Sequence, residues 1–336
     1  MKQLSIIGLS NAGKTCYIYA MAKTMINGFE GLNIIAKDDD LRDQLRQGWR
    51  GIRHGSWPQG SDKVTMCEFD CSLFLNPIMD FCWEDFKGGS LTSMNEIDKK
   101  FRNEFNEYLC NSDGLLLFVG ADMLQDILKE TDEAEDYTED LEVLTALFLR
   151  NKGVLSRIPV TVVITKSDLL SVEEKEFAIE IVKEVFKPLF MVGNNIEVLV
   201  APVCIGQNLG RGEQGSSVSG VIFHDPQEGN IHMPIVFNLY HFLKDCISVE
   251  KSMLGDADKA MEERRKRLRT AEAHNGLQRW WNSENVGNLR DSVNSQQDVI
   301  RKKKEKIKEL ESQLDKVKRM FSKNCQYYVN GSLVNF

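Results

Sequence analysis

Residues 2–15 read KQLSIIGLSNAGKT, an apolar run that ends in glycine and continues into a polar loop. The apolar run at 2–8 predicts a short buried strand, and residues 14–27 predict the helix that follows. Between them, the residues from Gly8 to Thr15 match the pattern G-x-x-x-x-G-K-S/T. Glycines let successive backbone N–H groups turn toward phosphate oxygens, and a helix N-terminus adds partial positive charge. The stretch therefore predicts a phosphate-binding loop at the start of an α/β domain.

Within this loop the side chains have distinct expected roles. Lys14 would reach the β- and γ-phosphates of a nucleotide, where it would assist catalysis, and the Thr15 hydroxyl would ligate Mg²⁺. The residues expected to line the phosphates are Asn11, Ala12, Gly13, Lys14, Thr15 and Cys16. A glycine-rich turn that binds nothing is the alternative, but the strand before the loop and the helix after it favour the phosphate site.

The rest of the first 250 residues alternates between apolar runs and helical patterns. Residues 114–121, 159–165 and 196–203 are rich in apolar residues and predict buried strands, while 64–75 and 78–83 predict two more. Helices are predicted at 93–110, 141–151, 172–189 and 235–250. This alternation is typical of a mostly parallel sheet covered by helices on both faces. We therefore expect a three-layer α/β domain of the P-loop NTPase type over residues 1–250.

A second motif follows the strand predicted at 78–83. The chain runs into Asp85-Phe86-Lys87-Gly88, which matches D-x-x-G. Asp85 at the end of a strand can hold Mg²⁺ through a water molecule, and the Gly88 N–H can touch a γ-phosphate. The pattern is short, and its position after a phosphate loop is what favours this interpretation over a chance match.

A third motif, Thr165-Lys166-Ser167-Asp168, follows the strand predicted at 159–165. The Asp168 carboxylate can accept two N–H groups from the edge of guanine, while the Lys166 stem packs on the ring. Adenine offers no such pair of donors, so a buried Asp168 would be left without partners. The alternative is a charged helix cap in which Asp168 is solvated.

With GLSNAGKT, DFKG and TKSD in this order, residues 1–250 resemble the P-loop GTPases of the TRAFAC class, which includes translation factors and Ras-like and septin-like proteins. Within that class the chain resembles bacterial GTPases with a long switch I insertion. The resemblance implies GTP or GDP as ligand, Mg²⁺ as cofactor and GTP hydrolysis as the activity. It also implies that the loop after the next strand supports the base. Here that loop holds Cys204 and Ile205, where the family usually has Ser-Ala.

Two further elements of the family pattern fall in the first half of the chain. Residues 55–61 (GSWPQGS) look like the W-P-x-x-T element of switch I, which makes Ser61 the expected Mg²⁺ ligand and γ-phosphate sensor. Thr65 is the alternative ligand, and a simple Pro-Gly turn is the other interpretation. Ras-like members carry a Gln directly after D-x-x-G, whereas this chain has Gly89. Hydrolysis would then be slow, use another residue or require a partner.

The C-terminal part differs in character from the domain before it. Apolar residues recur there in steps of three and four at Val286, Leu289, Val293, Ile300, Ile307, Leu310, Leu314, Val317 and Phe321. This heptad pattern predicts a coiled-coil arm, with polar breaks at Gln296 and Lys303. Its seam needs a partner, which would be an antiparallel helix from 251–279, a second copy or another protein contacting 286–321. We expect domains at 1–250, 251–323 and 324–336, the last a hairpin or tail turning at Asn330-Gly331.

Composition limits the classes of protein that this chain can be. Of its 336 residues, 42% are hydrophobic and 27% charged, which is typical of a soluble globular protein and excludes collagen-like, fully disordered and multi-span membrane chains. The formal net charge is −8, although residues 259–323 are basic. We expect no sequence-specific nucleic acid partner, and peripheral membrane contact by the basic arm is an alternative to a solvated coiled coil. The eight cysteines form no C-x-x-C pair, which favours reduced thiols and a cytoplasmic location.

Together these features predict a GTP-binding protein that hydrolyses GTP with Mg²⁺ and signals its state to a partner through the arm. Bacterial relatives of the family often occur in multigene systems, which implies a role in defence or signalling. A nucleotide-binding scaffold with little or no hydrolysis is the main alternative, motivated by Gly89. An ATPase would require TKSD to be coincidental, and a membrane-remodelling GTPase would require an insertion segment in the arm.

Overall fold

The computed structural model describes residues 1–58, 66–85, 99–209, 220–273 and 283–335. Only the backbone is described at Asp85, 99–104 and 283–285. The chain forms two compact units. The first comprises Met1–Asn238 together with Met320–Phe336, and the second is Leu239–Arg319. Ser61 and Gly88, two residues of the predicted site, lie outside the described ranges.

The first unit is built on a sheet that has nine strands in the described residues. In chain order the strands of the unit are β1 (Lys2–Gly8), β2 (Leu32–Ala36), β3 (Met66–Leu73), β4 (Asn76–Asp85), β5 (Gly114–Gly120), β6 (Val160–Thr165), β7 (Glu197–Pro202), β8 (Gly206–Gln207), β9 (Val221–Ile222), β10 (Gln326–Val329) and β11 (Ser332–Val334). Within the described ranges, β8 and β9 pair only with each other, as a separate two-stranded ribbon.

Helices connect these strands. They are α1 (Lys14–Met25), α2 (Asp39–Arg53), α3 (Lys99–Cys110), α4 (Ala121–Leu128), α5 (Ala134–Arg150), α6 (Lys152–Leu155), α7 (Val172–Val185) and α8 (Lys187–Phe190). A 3₁₀ turn covers Ser167–Leu169. α9 (Met233–Glu272) starts in the first unit and continues into the second, where α10 (Ser283–Arg319) follows it. None of the helices in the described ranges combines the length and the apolar character that crossing a bilayer requires.

The centre of the sheet is parallel. Its strand order is β11-β10-β7-β6-β5-β1-β4-β3-β2, and the five strands from β7 to β4 run in the same direction. β1 lies between β4 and β5, so the chain builds β2, β3 and β4 on one side of β1 and then crosses to β5 on the other side. In open α/β sheets a crevice forms outside the carboxyl end at such a switch point, and ligands bind there. Gly8 is the last residue of β1, so the predicted phosphate loop starts at this crevice.

Both faces of the parallel strands are covered, as the alternation in the sequence predicts. In β5 the odd-numbered residues, such as Leu117, belong to a core cluster with Phe105 of α3 and Leu144 of α5. The ring of Phe118 instead lies 5.3 Å from that of Tyr17 in α1. Neighbouring residues therefore face different helical layers, which confirms the three-layer α/β architecture.

The C-terminal residues complete the sheet of the first unit. β10 pairs antiparallel with β7, and β11 pairs antiparallel with β10 around Asn330 and Gly331. The Asn330 side chain also accepts hydrogen bonds from the backbone N–H groups of Gly193 and Asn195. The expected hairpin is therefore present, but it belongs to the first unit instead of forming a third segment. The compact units also divide after Asn238, whereas the sequence pattern placed the boundary after residue 250.

In the second unit, α9 and α10 run antiparallel and form a helical hairpin. The ion pairs show this direction, because Glu272 contacts Arg290 near one end and Glu250 contacts Lys303 toward the other. A small apolar core lies between the helices and consists of Ala257, Met261, Val293 and Ile300. Of the three partners considered for the heptad seam, the structure thus shows the antiparallel helix of the same chain.

The two polar breaks of the seam meet polar groups of α9. The Gln296 side-chain amide donates to the backbone carbonyl of Ala257 at 3.1 Å. Lys303 donates to the Glu250 carboxylate at 3.0 Å, and Lys306 lies 2.6 Å from its other oxygen. Polar residues in a helical seam cost stability unless they are paired, and these pairs fix the register of the two helices.

We expect the Glu250 contacts to give the arm a stability that depends on pH. Hydrogen bonds from Lys306 and Lys303 hold the pKa of Glu250 below its ordinary value of 4.5. A lowered carboxyl pKa stabilises the folded state above pH 4.5, and this contribution is lost as pH falls through the lowered pKa. Glu250→Gln should therefore cost about 1 kcal/mol at pH 7 and nothing at a pH well below the lowered pKa of Glu250.

Thermal unfolding followed by circular dichroism at both pH values checks this expectation. Glu263→Gln is the matched control, because Glu263 is exposed on the same helix. An equal effect of the two substitutions at pH 7 would contradict a special role for Glu250.

Candidate functional site

The loop after β1 has the backbone that a phosphate site needs. Asn11 and Gly13 adopt left-handed conformations, with φ of 61° and 78°. α1 begins at Lys14, and no side chain caps its N-terminus at Gly13. The first N–H groups of a helix have no partners within the helix, so this end of α1 can donate them to an anion. The phosphate loop predicted from the sequence thus lies at a helix N-terminus.

The Lys14 side chain folds back over this loop. Its Nζ donates to the backbone carbonyls of Gly8 at 2.9 Å and of Leu9 at 3.0 Å. These contacts hold the ammonium above the loop backbone, next to the N-terminus of α1. Thr15 and Cys16 follow in the first turn of α1, and both are partly buried. Burial raises the pKa of the Cys16 thiol to about 11, so this cysteine is a neutral thiol at physiological pH.

The loop after β6 directly contacts the phosphate loop. The Thr165 hydroxyl donates to the carbonyl of Ala12 at 2.8 Å. A Cβ at Gly13 would lie 3.1 Å from the same hydroxyl oxygen, so the two loops approach closely where Gly13 has no side chain. Two motifs that are about 150 residues apart in the chain therefore meet at one edge of the sheet.

Asp168 lies in the 3₁₀ turn after β6. Burial raises the pKa of its carboxyl group, and the nearby charges of Lys175 and Lys166 oppose this effect. The raised pKa means that the carboxylate is short of solvation. A backbone hydrogen bond also lowers this pKa, and a ligand that donates N–H groups would stabilise the ionised carboxylate further.

Lys166 is oriented by a residue that the sequence analysis did not select. Its backbone is left-handed, with φ of 54°, and its ammonium forms an ion pair with Asp122 in the first turn of α4. Both side chains are about three-quarters buried, at 29% and 25% exposure. The signal available in the sequence was a carboxylate placed two residues after the apolar strand that ends at Gly120.

The loop after β7 lies next to the loop after β6. The Val203 N–H donates to the Ile164 carbonyl at 2.7 Å, and the Ser167 N–H donates to the Val203 carbonyl at 3.2 Å. Cys204 follows, and burial raises the pKa of its thiol while a hydrogen bond with Ser167 lowers it. Cys204 and Ile205 thus lie beside the TKSD loop, where the sequence predicted the base-supporting contact.

The residues predicted to hold Mg²⁺ are only partly described. Thr15 lies at the start of α1, and Asp85 is the last residue of β4, in register with Ile6 of β1. β4 and β1 are neighbours, so the backbone of Asp85 and the phosphate loop lie at the same edge of the sheet. Ser61 lies outside the described residues, as do Gly88 and Gly89. Within the described ranges, no three His, Cys, Asp or Glu side chains converge as a metal cluster.

We expect Asp122 to act on ligand binding through Lys166. If the predicted nucleotide binds at this site, Asp122→Ala should lower its affinity about fivefold, because the Lys166 stem loses its anchor. Asp122→Asn keeps an oxygen acceptor and should restore most of this loss. Titration with fluorescent GDP measures the effect. The same Asp122 substitution is then tested in a chain that also carries Lys166→Ala. If Asp122→Ala weakens GDP binding as much in the Lys166→Ala chain as it does in the chain with Lys166, Asp122 does not act through Lys166.

No protein-family model matches the chain, and no curated protein does either. Solved structures with partial similarity include a bacterial selenocysteine-specific elongation factor, which is 18% identical with a TM-score of 0.31 and overlaps 60% of this chain. An ADP-ribosylation-factor-like GTP-binding protein from Encephalitozoon cuniculi, in complex with GDP, is 12% identical with a TM-score of 0.27 and overlaps 55%. A member of an oligomerised bacterial dynamin pair is 16% identical with a TM-score of 0.35 and overlaps 92%.

The chain spans only part of each of these proteins, namely 25%, 60% and 61% of their lengths in the same order. Because these TM-scores are low, the α/β architecture is established by the strand order and the strand directions of this chain.

Proposed function

We propose that this chain binds a guanine nucleotide at the carboxyl edge of its sheet and hydrolyses GTP as a molecular switch. The observation that carries the proposal is the contact between the phosphate loop and the TKSD loop through Thr165 and Ala12. A nucleotide has a phosphate end and a base end, and it needs both recognition elements on one surface. An uncapped helix N-terminus after β1 and a partly desolvated carboxylate after β6 support these two assignments.

Guanine is favoured over adenine by the chemistry of Asp168. An ionised carboxylate only accepts hydrogen bonds, and the guanine edge offers two donors, at N1 and at the 2-amino group. The adenine edge offers no such pair, so ATP would leave a partly buried carboxylate without partners. The position of Lys166, held by Asp122, fits a lysine stem that lies along the base.

For hydrolysis, we assign Lys14 to the β- and γ-phosphates and Thr15 to Mg²⁺, together with Asp85 and Ser61. Gly88 would donate its N–H to the γ-phosphate. The first-turn hydroxyl of Thr15 and the uncapped helix N-terminus suit a phosphate-bound divalent cation, which would neutralise the charge of the phosphates. The helical arm would carry the state of the nucleotide site to a partner protein or to a second copy through 286–321.

The test of binding is a titration of the purified protein with fluorescent GDP, followed by competition with GTP and with ATP in Mg²⁺. Displacement by GTP and not by ATP is the expected result. Displacement by ATP at the concentration at which GTP displaces GDP, or no binding of GDP at all, would contradict the proposal.

The second candidate function is a scaffold that binds GTP without hydrolysing it. The observation in its favour is Gly89, which directly follows D-x-x-G where Ras-like GTPases carry a Gln. Phosphate release from GTP separates the two functions. Turnover that needs Lys14 supports the switch, whereas tight binding without phosphate release, alone and with partners, supports the scaffold.

A further inference from the structure

A short segment between β9 and α9 contacts the loop that is predicted to face the base. This segment covers residues 225–232 and is called the latch below. The N–H of Cys204 donates to the Gly229 carbonyl at 3.0 Å, and the Asn230 side-chain amide donates to the Pro202 carbonyl at 3.0 Å. A Cβ at Gly229 would overlap the carbonyl of Cys204, so the two backbones are in direct contact there. The latch and the loop at Cys204 are therefore joined by two hydrogen bonds and a direct backbone contact.

The same segment contacts the helix that follows the phosphate loop. The Tyr17 hydroxyl in α1 donates to the Ile231 carbonyl at 2.9 Å, and both residues are fully buried. Burial also raises the pKa of Tyr17 well above its ordinary value, so the hydroxyl keeps the proton that it donates. Because Tyr17 directly follows Cys16, the latch is tied to the phosphate end of the site as well as to the base end.

The last residue of the latch before α9 is His232, whose side chain is fully buried. Its Nδ1 lies 3.2 Å from the Pro226 carbonyl, and its Nε2 lies 3.0 Å from the Met320 carbonyl. Its ring also packs on Phe29, with 4.4 Å between the ring centroids. A neutral imidazole has one N–H, so it can donate to only one of the two carbonyls at a time. Burial lowers the pKa of His232 and so favours the neutral ring, whose two tautomers donate to different carbonyls.

Met320 is the first residue after α10, where the chain re-enters the first unit. Met233, directly after His232, is the first residue of α9, through which the chain leaves that unit. The N–H of Ser322 contacts the Met233 sulfur at 3.2 Å, which adds a second link between the same two stretches. His232 thus links the start of α9 to Met320, the residue that follows α10.

We propose that Gly229, Asn230 and His232 are positioning residues of the nucleotide site, and that they couple its occupancy to the hydrogen bond at Met320. The proposal rests on the proposed binding of guanine nucleotide. A nucleotide that orders Cys204 and Ile205 strengthens the contact between His232 and Met320. By reciprocity, loss of that contact weakens nucleotide binding by the same factor. No part of the arm has to touch the nucleotide for this coupling to operate.

The test combines GDP affinity with amide hydrogen exchange in three variants of the full chain. His232→Phe keeps an aromatic ring against Phe29 and removes both ring nitrogens, and it should lower GDP affinity about tenfold, within the usual range of allosteric coupling. His232→Gln keeps an N–H donor and should bind GDP within about threefold of the unsubstituted chain. Asn194→Ala is the matched control, since Asn194 is also buried and donates to backbone carbonyls, of Pro188 and Leu189. It should change thermal stability without changing GDP affinity.

Hydrogen exchange supplies a signature that a purely structural role would not produce. In the unsubstituted chain, GDP should slow exchange in the phosphate loop, around Cys204 and around residues 320–322. In His232→Phe, the protection of the phosphate loop should persist, and the protection around 320–322 should disappear.

The outcomes separate the two levels of the proposal. If GDP protects no segment, the guanine-nucleotide proposal fails and the coupling fails with it. If GDP protects the phosphate loop but never residues 320–322, only the coupling is overturned. Two affinity results would also overturn the coupling. One is an equal loss of GDP affinity in His232→Phe and His232→Gln. The other is a loss of GDP affinity in Asn194→Ala that is as large as the loss in His232→Phe.

Discussion

Replacing Asp168 with asparagine is expected to lower the affinity for GDP roughly 10³-fold and to make xanthosine diphosphate the preferred ligand. The aspartate carboxylate offers two acceptors to the two N–H donors of guanine. Asparagine offers one acceptor and one NH₂ donor. Against guanine, this NH₂ group faces the 2-amino group and no hydrogen bond forms. Xanthine carries a carbonyl oxygen at that position, so the asparagine pairs with it on both sides.

Competition of GDP and xanthosine diphosphate against fluorescent GDP or its xanthine analogue measures this exchange of specificity. Glu173→Gln is the matched acid-to-amide control, because Glu173 is exposed in the first turn of α7. It should leave both affinities unchanged. A variant Asp168→Asn that still prefers GDP would show that Asp168 does not read the base.

The second large effect is expected at Gly8, the last residue of β1. A Cβ at this position would lie 2.6 Å from the carbonyl oxygen of Phe118 and 2.9 Å from its Cβ. Phe118 is the register partner of Gly8 in β5, so the clash is with the neighbouring strand and cannot be relieved by a side-chain rotation. Gly8→Ala should therefore destabilise the first unit by about 3 kcal/mol.

The same substitution should weaken nucleotide binding at least tenfold in protein that remains folded, because Gly8 begins the phosphate loop and its carbonyl accepts from Lys14. Urea unfolding and GDP titration measure the two effects. Gly153→Ala is the control, since a Cβ at Gly153 in α6 would meet no atom within 4 Å. A variant Gly8→Ala as stable as Gly153→Ala would contradict the close approach of β1 and β5.

The apolar repeat of the arm predicts a buried helix face but does not predict what covers it. The three- and four-residue steps predicted that one face of 286–321 is covered, and Val293, Ile300, Ile307 and Val317 are indeed buried. The pattern was equally compatible with a second copy or another protein, because a seam specifies an apolar partner without specifying its identity. The pairing of Gln296 with Ala257 and of Lys303 with Glu250 depends on residues about 40 to 50 positions away.

Several parts of this protein depend on local chemistry and can be predicted from its residues alone. The strand, the glycine loop and the helix of residues 2–25 follow from apolar burial and from backbone conformations suited to glycine, and the buried strands follow from runs of apolar residues. The motifs GLSNAGKT and TKSD name side chains whose hydrogen-bonding capacities are properties of each residue type.

Contacts between distant groups could not be predicted in this way. It brought Asp122 to Lys166, Thr165 to Ala12 and His232 to Met320, and it placed the C-terminal strands beside β7. These contacts depend on strand order and register, which arise from the packing of the whole core. A carboxylate after a strand or a buried histidine before a helix has the same local signature whether or not it has a partner. Local periodicity sets which face of an element is buried, whereas the free energy of the entire fold determines which elements become its neighbours.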